Sequence, residues 1–207
     1  MCGRYALISP PAVIAERFHL LWTPGIEPHY NIAPSQMIPV VRETAEGRVL
    51  ALLKWGLIPW WAKDAHIGAK LANARAESLA SKPAFRDAYR HRRCLVPADA
   101  FYEWKPVAGR KQPYCIRMRD HALFGMAGLW EHWVAPDGQV VGSCTIVTVD
   151  ANALVGELHD RMPLILAPAD YDAWLGAGIT AAALAACHCG GSDGGLPGQP
   201  AGQQRAK

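Results

Sequence analysis

No apolar run in the 207 residues approaches the length needed to cross a bilayer. The opening, MCGRYALISPP, has no signal-peptide layout, because prolines interrupt it before an apolar stretch develops. A cytoplasmic protein is therefore expected. Charge is sparse and nearly balanced, with 19% charged residues and a formal net charge of +3. That balance is compatible with a nucleic-acid partner but does not demand one. The six cysteines include no C-x₂-C pair of the kind that closes on zinc, and Cys187-His188-Cys189 lacks that spacing. No metal and no cofactor are expected. Internal repeats are absent too. What is present is a 51% hydrophobic composition, enough for one soluble domain with a sizeable core.

The pattern along the chain is strand-rich. MIPVVR and VLALLKW are apolar, β-leaning runs joined through Ala45-Glu46-Gly47, which predicts a hairpin. RCLVPADAFYEW, PYCIRMR, ALFGMAGLWEHWV and VVGSCTIVTV are further strand candidates, and MPLIL another. Helices are predicted after Ser9-Pro10-Pro11, with Ser9 as the cap and Val13, Ile14, Phe18 and Leu21 on one side. Others are predicted over AFRDAYRHRR, over NALVGELH and after Pro168. Strands and helices do not alternate regularly, so the expected class is α+β. Cys94, Cys115 and Cys144 sit in strand-like text and read as buried thiols. Residues 1–188 are expected to form one domain. Residues 189–207, GGSDGGLPGQPAGQQRAK with the preceding Cys, lack aromatic residues and predict a disordered tail.

Four stretches set polar residues inside apolar text, where a merely solvated side chain is harder to justify. Cys2 follows Met1 and, once Met1 is removed, carries an α-amine and a thiol on neighbouring carbons. A frayed terminus is the ordinary alternative. Asn73 in LANARAE reads as a helix cap or as a buried amide. Glu103, between aromatics in FYEW, either faces water on an alternating strand or sits in an apolar pocket with a raised pKa. His159 in LHDRMP is either structural or a titrating imidazole. Beside them, WGLIPWW places Trp60 and Trp61 side by side, and an extended segment sends neighbours to opposite faces. At least one ring is expected at the surface, as a packed loop or as a stacking platform for single-stranded bases.

MCGRYA, NIAPSQ at residues 31–36, WGLIPWW, NARAE, FYEWK and LHDRMPLIL stand in the order found in the SRAP family. These are the SOS response-associated peptidase-like proteins, and the resemblance runs to about Trp174. It implies a strand-rich fold of mixed sheets with a barrel-like core and short interspersed helices. It also implies an enzyme that senses abasic sites in single-stranded DNA and cross-links to them covalently through Cys2 as a thiazolidine. By the same resemblance Asn73 holds the terminal residue and the sugar oxygen, Glu103 shuttles protons beside the amine, and His159 assists opening of the sugar ring. Arg4, Arg75 and Arg161 resemble phosphate-gripping arginines, and Trp60 and Trp61 an aromatic wedge. A monomer acting on single-stranded DNA is implied.

Two departures stand out. ESLASKPAFR follows NARA where the family often has another basic residue, leaving Lys82 or Arg86 as substitutes. The chain also runs into CHCGGSDGG where the family usually ends on another strand-forming segment. Alternatives of other kinds are a thiol peptidase using Cys2 and His159, self-processing at Met1-Cys2 included, and a non-covalent single-strand binding module.

Overall fold

The computed structural model describes residues 2–107, 109–176 and 178–189. The two apolar runs within residues 37–55 become a hairpin of β3 (Met37–Thr44) and β4 (Gly47–Trp55), registered from Met37 opposite Lys54 to Thr44 opposite Gly47. The other long strands are β6 (Arg93–Ala98), β9 (Phe124–Val134) and β10 (Val140–Asp150). Neighbour pairing runs β10-β4-β3-β6-β9, and β9 pairs back onto β10, so the five strands close into a barrel. Closure removes the exposed edges that an open sheet leaves. The β10–β4 pairing is parallel and the others in the ring are antiparallel.

Where β6, β9 and β10 meet, a Cβ on Gly128 would sit 2.9 Å from Cys94 Sγ and 3.1 Å from the Thr145 carbonyl oxygen. The missing side chain at Gly128 is thus what lets these strands approach. Trp55, Ile38, Val40, Leu95, Met126, Leu129, Cys144 and Ile146 fill the core. Each fully buried large side chain contributes roughly 1.5–3 kcal/mol by removal from water.

A second sheet lies against the barrel in the order β2-β1-β7-β8, built from β1 (Arg4–Leu7), β2 (His29–Ile32), β7 (Ala100–Val107) and β8 (Arg110–Ile116). Three short strands complete the frame. β5 (Asn73–Arg75) runs parallel to β10, β11 (Arg161–Pro163) pairs with β10, and β12 (Ile165–Leu166) pairs with β9. The helices are short: α1 (Pro11–Phe18), α2 (Arg86–His91), α3 (Ala153–Gly156), α4 (Tyr171–Leu175) and α5 (Ala181–Cys189). No helix among the described residues is long and apolar enough to cross a membrane.

Several local expectations change. Ser9 does not cap α1; its hydroxyl donates to Asp99 Oδ1 at 2.5 Å, and Asp99 Oδ2 accepts from the backbone N–H groups of Ile8 and Ser9. That same Asp99 interrupts RCLVPADAFYEW, which forms β6 and β7 in different sheets rather than one strand. On α1 only Ile14 and Phe18 are buried, while Val13 and Leu21 face solvent. The helix expected over NALVGELH shrinks to one turn, capped by Asn152 Oδ1 accepting from Val155 N–H at 3.0 Å. Cys94 and Cys144 are buried, but Cys115 is half-buried. Helix α5 reaches Cys189, one residue into the segment expected to be a tail, and residues 190–207 lie outside the described residues.

Candidate active site

The sheet β2-β1-β7-β8 and the short strands on β10 bring the four polar stretches together. Cys2 precedes β1, whose pairing sets Arg4 opposite Tyr102 on β7. Asn73 is the first residue of β5, opposite Ile146 of β10, so it sits in a strand and not at a helix cap. Its Nδ2 donates to the Cys2 carbonyl oxygen at 3.0 Å. Its Oδ1 is buried and has no hydrogen-bond partner among the described residues, leaving an acceptor for something that enters the site.

Cys2 is fully buried, and its thiol touches the Arg4 carbonyl oxygen at 3.9 Å. Burial pushes the thiol pKa up to about 12, and the Glu103 carboxylate adds to the rise. Glu103, on β7, is only 3% exposed. Desolvation raises its pKa, with the positive amino end of the chain and His159 pulling the other way. The apolar-pocket reading of FYEW is the one the fold adopts. His159 follows α3 at the mouth of the site. Its Nδ1 lies 2.7 Å from Asp160 Oδ1 and 3.0 Å from the Arg161 backbone nitrogen. One ring nitrogen serves one of these at a time: protonated, it donates to Asp160; unprotonated, it accepts from the Arg161 N–H.

The arginines divide. Arg4 donates from Nη1 to Asn31 Oδ1 at 2.7 Å, joining the MCGRYA and NIAPSQ blocks in an exposed contact. Arg75 is exposed. Arg161 is buried, with a bidentate pair to Glu77 at 2.9 and 3.0 Å. It also donates to the Thr148 carbonyl oxygen at 2.8 Å and to Asp150. Burial opposes its charge, but the Glu77 and Asp150 contacts outweigh it and raise its pKa. This guanidinium ties NARAE to LHDRMP. The sequence reading missed Glu77 in this role; its signal is the shared presence of an acid and an arginine in two motif blocks, 84 residues apart.

Trp60 and Trp61 are 58% and 44% exposed. Their indole N–H groups donate to Asp87 Oδ2 at 3.3 Å and to the Pro83 carbonyl oxygen at 3.5 Å, which sets the pair beside α2. The loop is pinned behind them. Trp55 is buried and donates to the Ala72 carbonyl oxygen, and Ile58 N–H donates to Ser143 Oγ, each at 2.8 Å. Gly56 adopts φ 131°, and a Cβ there would meet the Gly68 carbonyl oxygen at 2.6 Å, so only glycine fits. Among the described residues no group of three His, Cys, Asp or Glu side chains could hold a metal ion.

The family model described as SOS response associated peptidase (SRAP) matches residues 1–189. The chain is 44% identical over 179 residues to the abasic site processing protein YoqW of Bacillus subtilis (strain 168), covering 84% of this chain and 80% of that one. It is 32% identical over 210 residues to the abasic site processing protein HMCES of Xenopus tropicalis, covering 80% of this chain and 63% of that one. The crystal structure of a protein from Bacteroides thetaiotaomicron superposes with a TM-score of 0.81 at 25% identity, covering 89% of this chain and 85% of that one. With its barrel, its ordered motif blocks and a family match across all the described residues, the chain belongs to the SRAP family.

Proposed function

We propose that this chain processes abasic sites in single-stranded DNA by forming a covalent cross-link through Cys2. The observation that carries the reading is the convergence of Asn73, Glu103 and His159, from three separate segments, around the buried Cys2. The abasic site processing relatives support the substrate class.

The chemistry follows from what each group is able to do. Removal of Met1 exposes the α-amine of Cys2. Its nitrogen adds to the C1 aldehyde of the ring-opened deoxyribose, and loss of water gives an imine. The thiol sulfur then adds to the imine carbon while the thiol proton ends on nitrogen, closing a thiazolidine. The balance is aldehyde plus cysteine giving thiazolidine plus one water. A thiol with a pKa near 12 is protonated at neutral pH. The amine therefore leads and the thiol follows, with Glu103 placed to carry protons between them. A thiol peptidase needs the reverse, a preformed thiolate. His159, beside Glu103, assists opening of the sugar ring. Asn73 fixes the Cys2 carbonyl through Nδ2 and offers Oδ1 to a sugar hydroxyl.

Arg4 and Arg75 supply phosphate contacts, and Trp60 and Trp61 a stacking surface for adjoining bases. Arg161 acts one step back, holding NARAE against LHDRMP. The test is incubation with a single strand carrying one abasic site, beside the same strand intact, resolved on a denaturing gel. A heat-stable shifted band with the abasic strand alone is expected. Equal binding to both strands with no band surviving denaturation would leave only a binding module.

A further inference from the structure

Antiparallel partners point to the same side of a sheet. On the β7–β8 hairpin Phe101 lies opposite Ile116, Glu103 opposite Tyr114, and Lys105 opposite Gln112. The face that carries Glu103 therefore continues outward as Tyr114 and then Lys105. Across from it runs the segment that leads into His159. Leu154, Glu157 and Leu158 close a cleft of about 70 Å³ against Lys105, Tyr114 and Ile116. The cleft thus begins where the pair Glu103 and His159 ends. Its floor and walls are apolar and its ring is half-buried, with a lysine on one rim and the exposed Glu157 on the other.

An abasic nucleotide has no base to be recognised, so its sugar is set in register by its neighbours. An aromatic face beside a cation is what a neighbouring nucleotide needs: the ring stacks the base and the ammonium meets the phosphate. The cavity is too small to enclose a base and suits one stacked at its mouth. Glu157 repels a backbone on its own side and leaves the Lys105 rim for the phosphate. We propose that this cleft is a nucleobase subsite, which seats the base next to the abasic sugar on Tyr114 with its phosphate at Lys105. The proposal rests on reading the adjoining site as one for single-stranded DNA.

Strands containing the tetrahydrofuran abasic analogue, which has no aldehyde and does not react, give a binding readout separate from cross-linking. Three are compared by fluorescence anisotropy: one with both neighbouring bases, one with the 5′ neighbour also replaced by tetrahydrofuran, and one with the 3′ neighbour replaced. Stripping one of the two neighbours is expected to weaken binding to the wild-type protein roughly 5- to 150-fold, the range for one stacked base. Tyr114→Ala should bind the complete strand as weakly as the wild type binds the stripped one, with no further loss on stripping. Tyr114→Phe should keep the wild-type pattern. Lys105→Gln should lower the salt slope by about 0.7. Indifference of the wild type to both neighbours overturns the subsite, whether or not any variant folds. So does a Tyr114→Ala protein that still loses the same fold on stripping. Should the wild type cross-link reactive abasic DNA yet ignore both neighbours, the subsite falls alone. Should the neighbour effect hold while no adduct forms, the cross-linking reading falls alone.

Discussion

Arg75 and Arg161 come from motif blocks that look alike on the page, yet the fold predicts opposite phenotypes for their loss. Arg161→Ala removes a buried guanidinium that bridges Glu77, Asp150 and the Thr148 carbonyl. The side chains of Glu77 and Asp150 are 56% and 86% exposed, so both carboxylates rehydrate when the arginine goes. Screening discounts the ion pairs accordingly. What remains is the lost hydrogen bond to a buried carbonyl, the lost packing and a slackened link between β5 and β11, about 2 kcal/mol in all. For a domain of this size that lowers Tm by about 4–8 °C. The salt dependence of single-strand binding should stay as in the wild type, because four of the five guanidinium donors are engaged and the fifth, at Nε, is buried away from any phosphate. Arg75→Ala should do the reverse, leaving Tm within a degree or two and lowering the slope of log K against log salt by about 0.7. Thermal melts and anisotropy titrations across a salt series measure both. An Arg161→Ala protein with wild-type Tm and a slope reduced by about 0.7 would refute the reasoning.

Three further outcomes are expected. Glu103 binds its proton more tightly folded than unfolded, because burial raises its pKa above 4.5. Its ionisation therefore costs stability as pH rises from about 4.5 upward, and Glu103→Gln should raise Tm at pH 7 more than at pH 4 while slowing adduct formation. Equal Tm shifts at both pH values in calorimetry would contradict a desolvated carboxylate. Cys2→Ala keeps the amine and deletes the ring-closing sulfur, so it should bind abasic strands yet yield an adduct only when borohydride traps the imine; a heat-stable adduct without reductant counts against the thiazolidine. Trp61→Ala should weaken single-strand binding at every salt concentration with an unchanged slope, since stacking releases few counterions. Titrations showing unaltered affinity would remove the wedge.

Elements fixed by local pattern were legible in the sequence. The β3–β4 hairpin follows from two apolar, β-leaning runs and a Gly turn, and the basic run over residues 84–93 does contain a helix. Closure of five strands into a barrel was not legible from periodicity and came only through resemblance, because the parallel β10–β4 contact joins residues about ninety apart. Asn73 shows the limit from the other side. Its neighbours suggest a cap, and only the pairing of a three-residue strand with β10 turns its amide toward Cys2. For Glu103 the two readings were separated by where β7 packs, not by FYEW itself. Arg161 looked like a phosphate contact until Glu77 and Asp150 stood beside it. Burial of a charged group is a property of its partners, and partners distant in sequence leave no periodic mark.

The central claim is that the α-amine and thiol of Cys2 together close on the abasic aldehyde. The most direct measurement is mass spectrometry of the intact protein and of its proteolysed adduct with an abasic single strand. The account predicts a chain lacking Met1 and an adduct equal to protein plus DNA less one water. It further predicts that the adduct is borne by the peptide that begins at Cys2, and that it survives heating without reductant. An adduct mapped to a lysine, or full cross-linking by protein that retains Met1, would contradict it.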